Sequence, residues 1–241
     1  MNKVITLFFM LTMSIKTLAE IPTQGIAMYK QTINIHASLP ASQAALKAMI
    51  PEFKYTQLKV SFMENLLRVQ KILPLATKKN ESIKIMTSIG YDNIVLNTNK
   101  KLLTQYGTVV DIEYVYSQKI NDGLDLKFVD EVKIINGYSC NKAIDEKNNF
   151  TIWYQRDSSQ VVVPSENFMG IPGLVVKVEG KQISYDLISI KDTKIDGALF
   201  DIPKNHKEIS YEQFQDLQEE AMEDMMNSHG KGTKMIKSNV N

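Results

Sequence analysis

Cysteine is almost absent from the 241-residue sequence, which contains only Cys140. A single cysteine excludes an internal disulfide, and a lone thiol in an oxidising compartment is either buried or a liability. Cys140 lies in a predicted strand between Tyr138 and Lys142, and no histidine is close to it in sequence to activate the thiol. We therefore interpret Cys140 as a small buried apolar residue and not as a reactive thiol.

Histidine is also scarce, and the usual catalytic motifs are missing. The three histidines, His36, His206 and His229, have no spacing that would place two of them on one face as zinc ligands. Ser165 lacks the flanking glycines of a nucleophile elbow, and there is no glycine-rich phosphate loop. These absences predict a non-enzymatic protein with no catalytic residue and no cofactor.

Neither sign of charge dominates, since 28 Lys and Arg residues face 27 Asp and Glu residues. Nucleic-acid-binding proteins carry a basic surface field, so this balance argues against a nucleic-acid partner. The same balance provides no polybasic segment that would attract an anionic lipid surface.

A long hydrophobic run is missing as well, and the most apolar stretch is residues 4–15. This stretch is shorter than the roughly 20 apolar residues that a membrane-spanning helix requires. It follows Lys3 and precedes Thr17-Leu18-Ala19, a pattern typical of a secretory signal peptide that is cleaved after Ala19. We therefore expect residues 1–19 to be removed, and the mature chain to be exported to the periplasm or the outer membrane without a transmembrane span.

Short runs of alternating apolar and polar residues, separated by regular turn signals, fill most of residues 20–205. One of these signals is Asn136-Gly137, a pair that predicts a hairpin turn of the type I′ class. This pattern predicts a mainly β, β-rich α+β protein with one antiparallel β domain over residues 20–205. We expect a large, strongly bent sheet or open half-barrel, with a first strand at residues 24–37 and a short N-terminal helix at residues 41–49.

The remaining segment, residues 206–241, is predicted to form a C-terminal amphipathic helix and a frayed tail. Ser210 and Gln213 have the spacing of a capping box, and Ile209 and Phe214 flank it as a hydrophobic staple. An apolar residue every three or four positions then predicts one face that packs against the sheet.

Turn chemistry is most concentrated at the motif Gly170-Ile171-Pro172-Gly173-Leu174. Pro172 presets φ for the first central position of a type II turn, and Gly173 can adopt the positive φ of the second. The alternating residues 174–179 then predict a strand, and Gly180-Lys181 predicts a two-residue hairpin turn with glycine first. The motif is therefore interpreted as structural.

The same motif, extended to Val175, resembles the motif that names the GLPGLI family. Two upstream segments, residues 135–143 and the aromatic strand at residues 150–154, resemble the family as well. The resemblance covers roughly the middle and C-terminal half of the chain. It implies a secreted envelope protein of Gram-negative bacteria whose biochemical role is undefined, and it provides no catalytic residue.

Five aromatic residues near the motif form the candidate ligand or partner surface: Tyr138, Trp153, Tyr154, Phe168 and Tyr185. Such a group can line a pocket for an apolar ligand or bind an outer-membrane partner, because Tyr and Trp combine an apolar ring with a polar atom. The alternative is that the five residues form the thickest part of the core, and this alternative is favoured.

Two further functions remain as alternatives. Met222, Met225, Met226 and His229 offer the thioether and imidazole ligands that Cu(I) prefers, although helical spacing also explains them as core packing. An enzyme whose carboxylates converge only in three dimensions is the other alternative.

Overall fold

The computed structural model describes residues 20–40, 45, 47–72, 85–86, 93–109, 111–120, 125–156, 158, 160–228 and 236–237. The described strands, in chain order, are β1 (Gln24–Asn34), β2 (Phe53–Met63), β3 (Leu66–Ile72), β4 (Ile85–Met86), β5 (Asn93–Asn97), β6 (Leu102–Val109), β7 (Ile112–Lys119), β8 (Leu126–Ile135), β9 (Tyr138–Asp145), β10 (Phe150–Gln155), β11 (Leu174–Glu179), β12 (Ile183–Asp192), β13 (Lys207–Glu208) and β14 (Ile236–Lys237). The described α-helices are α1 (Ile35–Ser38) and α2 (Tyr211–Ser228).

Twelve of these strands form one open sheet in the order β13-β7-β6-β5-β3-β2-β1-β12-β11-β10-β9-β8. All neighbours are antiparallel except β13, which runs parallel to β7. The protein is therefore mainly β, as predicted. The first strand, β1, lies in the middle, because one series of hairpins follows it on the β2 side and a second series returns to it through β12.

The sheet must bend strongly. Along the chain β8 is the next strand of this sheet after β7, yet the two strands are ten strand spacings apart across the sheet. Ten spacings of about 4.8 Å would separate them by about 48 Å in a flat sheet. Six residues, 120–125, connect Lys119 to Leu126, and these seven residue-to-residue steps can span at most about 25 Å. Ile120 and Leu126, at the two ends of this connection, pack against the same core.

The register divides the sheet into two sides. Tyr29 lies opposite Leu58 and Leu187, and this side, here called the core side, carries the largest hydrophobic cluster. Lys30 lies opposite Gln57 and Asp186 on the other, outer side.

The C-terminal helix α2 packs on the core side through Phe214. Its ring is fully buried, and its centroid lies 4.9 Å from that of Tyr114 and 4.8 Å from that of Tyr116. The hydroxyl of Tyr116 donates a hydrogen bond to Gln105 Oε1, and Gln105 Nε2 donates one to the hydroxyl of Tyr114. Both strands beneath the helix are thus joined by a buried polar network whose members have partners.

The N-terminus of α2 forms the predicted capping box. Gln213 N donates to Ser210 Oγ at 3.1 Å, and Ser210 N donates to Gln213 Oε1 at 2.9 Å. Two of the N–H groups that a helix start leaves without a partner are satisfied in this way.

The segment of residues 193–206 covers part of the outer side. Its Ile195 and Phe200 pack with Val95 and Tyr106 in a second hydrophobic cluster. Arg68 fixes the segment from below, since its Nη1 donates to the carbonyl of Leu199 at 2.8 Å. The chain then enters β13, which pairs with β7 at one end of the sheet.

Residues 45, 47 and 48 of the helix predicted at residues 41–49 have 3-10 conformation, and a separate short helix precedes them. It spans Ile35–Ser38, because Asn34 ends β1 and its side chain accepts a hydrogen bond from Ala37 N. Residues 41–44 and 46 of the predicted helix lie outside the described residues.

Two turn predictions are confirmed, and one is wrong. Asn136 and Gly137 have φ values of +52° and +86°, as a type I′ turn requires, and Gly173 has the expected positive φ of +91°. Gly180 is not in the positive-φ region, so the predicted glycine-first turn is not formed. A glycine is required at position 180 because there is no room for a side chain, since a Cβ there would overlap the ring of Phe150.

Two glycines test whether the motif is needed for packing as well as for its turn. Gly173 and Gly137 have nearly equal φ, but a Cβ on Gly173 would overlap the carbonyl oxygen of Gln155, whereas a Cβ on Gly137 meets nothing within 4 Å. We expect Gly137→Ala to cost about 1–2 kcal/mol of unfolding free energy from backbone strain alone. Gly173→Ala should cost about 3 kcal/mol or more, because the strain and the overlap add. Denaturant titration of the two variants measures this difference, and equal losses would contradict it.

Candidate functional site

The motif Gly170-Ile171-Pro172-Gly173-Leu174 fastens a covering loop to the sheet. It follows a short 3-10 helix, Glu166–Phe168, in which Asn167 N donates a hydrogen bond to Ser165 Oγ. Val162 N donates to the carbonyl of Gly173, and Val175 N donates to the carbonyl of Val162. Residues 162–163 and the motif are thereby held against β11.

Tyr29 connects this loop to the centre of the sheet. Its hydroxyl donates to the carbonyl of Val175 at 2.7 Å, and the carbonyl of Val162 lies 3.4 Å away. Burial raises the pKa of this hydroxyl well above its ordinary value, and the nearby hydroxyl of Tyr138 raises it further. Tyr29 therefore remains a neutral hydrogen-bond donor at physiological pH, and the motif contributes to the architecture of the sheet.

The five aromatic residues of the candidate surface are all buried: Tyr138, Trp153, Tyr154, Phe168 and Tyr185. Phe168 packs edge-on against both Phe150 and Tyr185. Trp153 and Tyr154 are successive residues of β10 and point to opposite sides of the sheet. The five residues therefore do not form one continuous surface, and their burial favours the core interpretation.

Trp153 lies on the outer side within a ring of charged groups. The ammonium groups of Lys133 and Lys142 lie 5.5 and 5.4 Å from the centre of its ring. Its Nε1 donates to the carboxylate of Glu179 at 3.2 Å, and Lys177 Nζ lies 3.1 Å from the same carboxylate. Burial acts to raise the pKa of Glu179, but the hydrogen bonds from Lys177 and Trp153 outweigh it and lower the pKa below its ordinary value.

These groups belong to a row of directly opposed residues that crosses the outer side of the sheet. The register places Lys30 opposite Asp186, Asp186 opposite Lys177, and Lys177 opposite Trp153. Trp153 in turn lies opposite Lys142, whose Nζ is 2.7 Å from the carboxylate of Glu131. Alternating charges in such a row stabilise neighbouring strands and leave no strong net field of one sign.

The core side of the sheet extends to the terminal strand β8, where apolar side chains are exposed. Phe128 lies opposite Ala143, which lies opposite Ile152, so the register assigns Phe128 to the core side. Nevertheless Phe128, Val132 and Ile134 are 54%, 60% and 61% exposed. We refer to the terminal strand Leu126–Ile135, with these three apolar side chains, as the β8 edge.

Sequence reasoning missed the β8 edge as a functional candidate. The alternation of apolar residues with Lys127 and Lys133 predicted a strand there, and a strand with that pattern is normally assigned to the core. Alternation does not reveal which strand is terminal. The contrast between three large apolar side chains and four charged neighbours was the available indication.

The residues of the Cu(I) alternative fall largely outside the described part of the chain. Met222 is half-buried on α2, whereas the side chains of Met225 and Met226, and all of His229, lie outside what the structure describes. In the described part of the chain no three His, Cys, Asp or Glu residues cluster as metal ligands.

No helix among the described residues has both the length and the apolar character to span a membrane.

Comparison with known proteins shows a likeness in fold. A structure of PNGF-II in space group C2 is similar with a TM-score of 0.58 and 16% sequence identity, covering 82% of this chain and 33% of that chain. A structure of PNGF-II in space group P21 gives a TM-score of 0.55 and 15% identity, covering 83% of this chain and 34% of that chain. The chain thus spans about a third of the PNGF-II chain, and the likeness shows the fold alone. No protein-family model and no curated protein matches the sequence.

Cys140 provides a test of the buried-thiol interpretation. Burial raises the pKa of its thiol to about 11, so very little thiolate is present near neutral pH. At pH 8 we expect the folded protein to react with a thiol-specific reagent at least about a hundredfold more slowly than the protein in denaturant, since both access and thiolate fraction are reduced. Rapid labelling of the folded protein, with its circular dichroism unchanged, would contradict the interpretation.

Proposed function

We propose that the protein is an exported, non-enzymatic envelope protein of the GLPGLI type that binds a partner protein at the β8 edge. The export signal at residues 1–19 and the motif at residues 170–174 support the compartment and the family resemblance. The observation that carries the binding function is the β8 edge itself, where three large apolar side chains are exposed on a terminal strand.

A terminal strand offers a row of backbone N–H and C=O groups that a further strand can use. Many recognition proteins bind an extended segment in this way, and the backbone hydrogen bonds provide affinity while side chains on alternate positions provide specificity. β8 is suited to this mode, because it is ten residues long and β9 pairs with it on one side. Within the described residues no strand pairs with its other side.

The opposite end of the sheet supports this proposal by contrast. There the terminal strand is β13, which has only two residues, Lys207 and Glu208, and both are charged. Short and charged terminal strands are the usual protection against unwanted pairing. The fold protects one end of the sheet, whereas the β8 edge keeps a long strand with apolar side chains accessible.

An outer-membrane protein is the partner that the proposed compartment favours, and an apolar ligand on the same side chains is the second possibility. Phe128 is the residue that both would contact, since its ring packs edge-on against Tyr154 at 6.0 Å between centroids and remains half exposed.

The proposal is tested by photo-crosslinking in the cells that produce the protein. A photoreactive residue at Ile134 should form a covalent adduct with one main protein, identified by mass spectrometry. Adding Val132→Lys should reduce this adduct at least about tenfold. Burial of a valine side chain contributes about 1.5–3 kcal/mol to binding, and a lysine at the same position loses that contribution and is costly to bury.

Ile188 supplies the matched control, because it is also an exposed apolar residue of a strand, at 53%. Ile188→Lys should leave the adduct unchanged. A similar adduct yield with Val132→Lys would contradict the proposal. Native mass spectrometry of the purified protein that reveals a bound lipid, displaced by Val132→Lys, would replace the partner protein with an apolar ligand.

A further inference from the structure

We infer that the partner of the β8 edge is an extended segment in which apolar residues alternate with acidic residues. This inference rests on the proposed function, and it specifies the chemistry of the partner at that same site.

The register separates the side chains of β8 into two chemically different rows. Phe128, Val132 and Ile134 lie opposite Ala143, Asn141 and Ser139, which are alternate residues of β9 and therefore share one side of that strand. Any strand added to β8 would place every second side chain beside this apolar row. Apolar residues are therefore required at those positions of the partner.

The intervening residues of β8 include two lysines, Lys127 and Lys133, alongside Val129, Glu131 and Ile135. Lys127 lies opposite Ile144, and Lys133 lies above the ring of Trp153. The outer-side residues of an added strand would lie beside these two ammonium groups. Directly opposed charges of unlike sign stabilise a pair of strands, and like charges destabilise it.

The irregularity in β8 preserves this separation. The pairing moves from Val129 opposite Lys142 to Val132 opposite Asn141, so Asp130 and Glu131 are two extra residues. An insertion of two residues keeps the alternation in phase, and both halves of β8 present apolar side chains on the same side.

The carboxylates around the two lysines are largely engaged elsewhere. Glu131 pairs with Lys142 at 2.7 Å, and Glu179 accepts from Lys177 and Trp153. Lys127 and Glu146 are 3.9 Å apart, with about two-thirds of each side chain exposed, so their attraction is weak. Lys127 and Lys133 can therefore interact with acidic residues of a partner.

Asp130 is the other acidic residue of the β8 edge. It lies within the irregularity, where an added strand cannot follow the regular pairing. The acidic positions of the partner are accordingly assigned to the two places opposite Lys127 and Lys133, on either side of the irregularity.

Trp153 makes the inference measurable, because it is the single tryptophan of the chain and contacts Lys133 of β8. Three soluble seven-residue peptides are titrated into the protein: one alternating Val with Glu, one alternating Val with Lys, and one alternating Thr with Glu. Binding is followed by tryptophan fluorescence and by calorimetry. The Val/Glu peptide should bind about tenfold more tightly than each of the other two, and added salt should weaken its binding.

Charge reversal provides the matched variant. In Lys127→Glu/Lys133→Glu the preference should invert, so that the Val/Lys peptide binds about tenfold more tightly than the Val/Glu peptide. Equal binding of the Val/Glu and Val/Lys peptides, without response to charge reversal, would overturn the acidic requirement and leave the proposed partner binding intact. Absence of binding by all three peptides, together with a Val132-dependent crosslink in cells, would overturn strand addition as the binding mode. Dimerisation of the protein alone, abolished by Val132→Lys, would identify a second copy as the occupant and overturn both proposals.

Discussion

A connection of only six residues, 120–125, constrains the shape of the whole sheet. It joins β7 to β8, which lie near opposite ends of a twelve-stranded sheet. Because an extended chain of that length covers about half of the distance across a flat sheet, the sheet has to curve. Curvature in turn explains why one cluster of apolar residues can contact elements from both halves of the sheet, including Ile120 beside β7 and Leu126 in β8.

The two halves of the sheet are joined at β1, and Tyr29 of β1 connects them through its backbone and its side chain. Its backbone is paired on both sides, and its hydroxyl reaches the carbonyl of Val175 on β11. The loop that precedes β11 covers the core from there, and Gly173 allows it to lie against Gln155 without a side chain between the two backbones. The motif at residues 170–174 is thus explained by the close approach of two chain segments.

Local patterns predicted much of this fold, because they act over a few residues. The type I′ turn at Asn136-Gly137 and the capping box of Ser210 and Gln213 depend on backbone conformation and neighbouring hydrogen bonds, and both occur as expected. Gly180 was interpreted from the same rules, but the ring of Phe150, thirty residues earlier, determines why a glycine is there. The interaction that explains Gly180 is tertiary, and local turn rules do not contain it.

The candidate site was harder to predict for the same reason. Alternation in β8 resembles alternation in a buried strand such as β2, because both place apolar side chains on the core side. The difference lies in strand order, which is set by how the second series of hairpins returns to β1 and not by any property of residues 126–135. Likewise, the sequence does not show how the five aromatic residues near the motif divide between the two sides of the sheet. Only the pairing of β10 shows that Trp153 and Tyr154 face opposite sides.

Strand order determines which strands are terminal, and the two ends of this sheet differ in how far the terminal strand is exposed. An apolar row on a terminal strand exposes both side chains and backbone groups, and this combination favours aggregation unless a partner covers it. The fold has a means of preventing this, since a short charged strand and the covering segment of residues 193–206 protect the β7 end. At the β8 end Phe128, Val132 and Ile134 stay exposed, whereas Ile152 of β10 and Val176 and Val178 of β11 are fully buried. An exposed continuation of the core, bordered by lysines on the opposite side, is the surface that a complementary strand would complete.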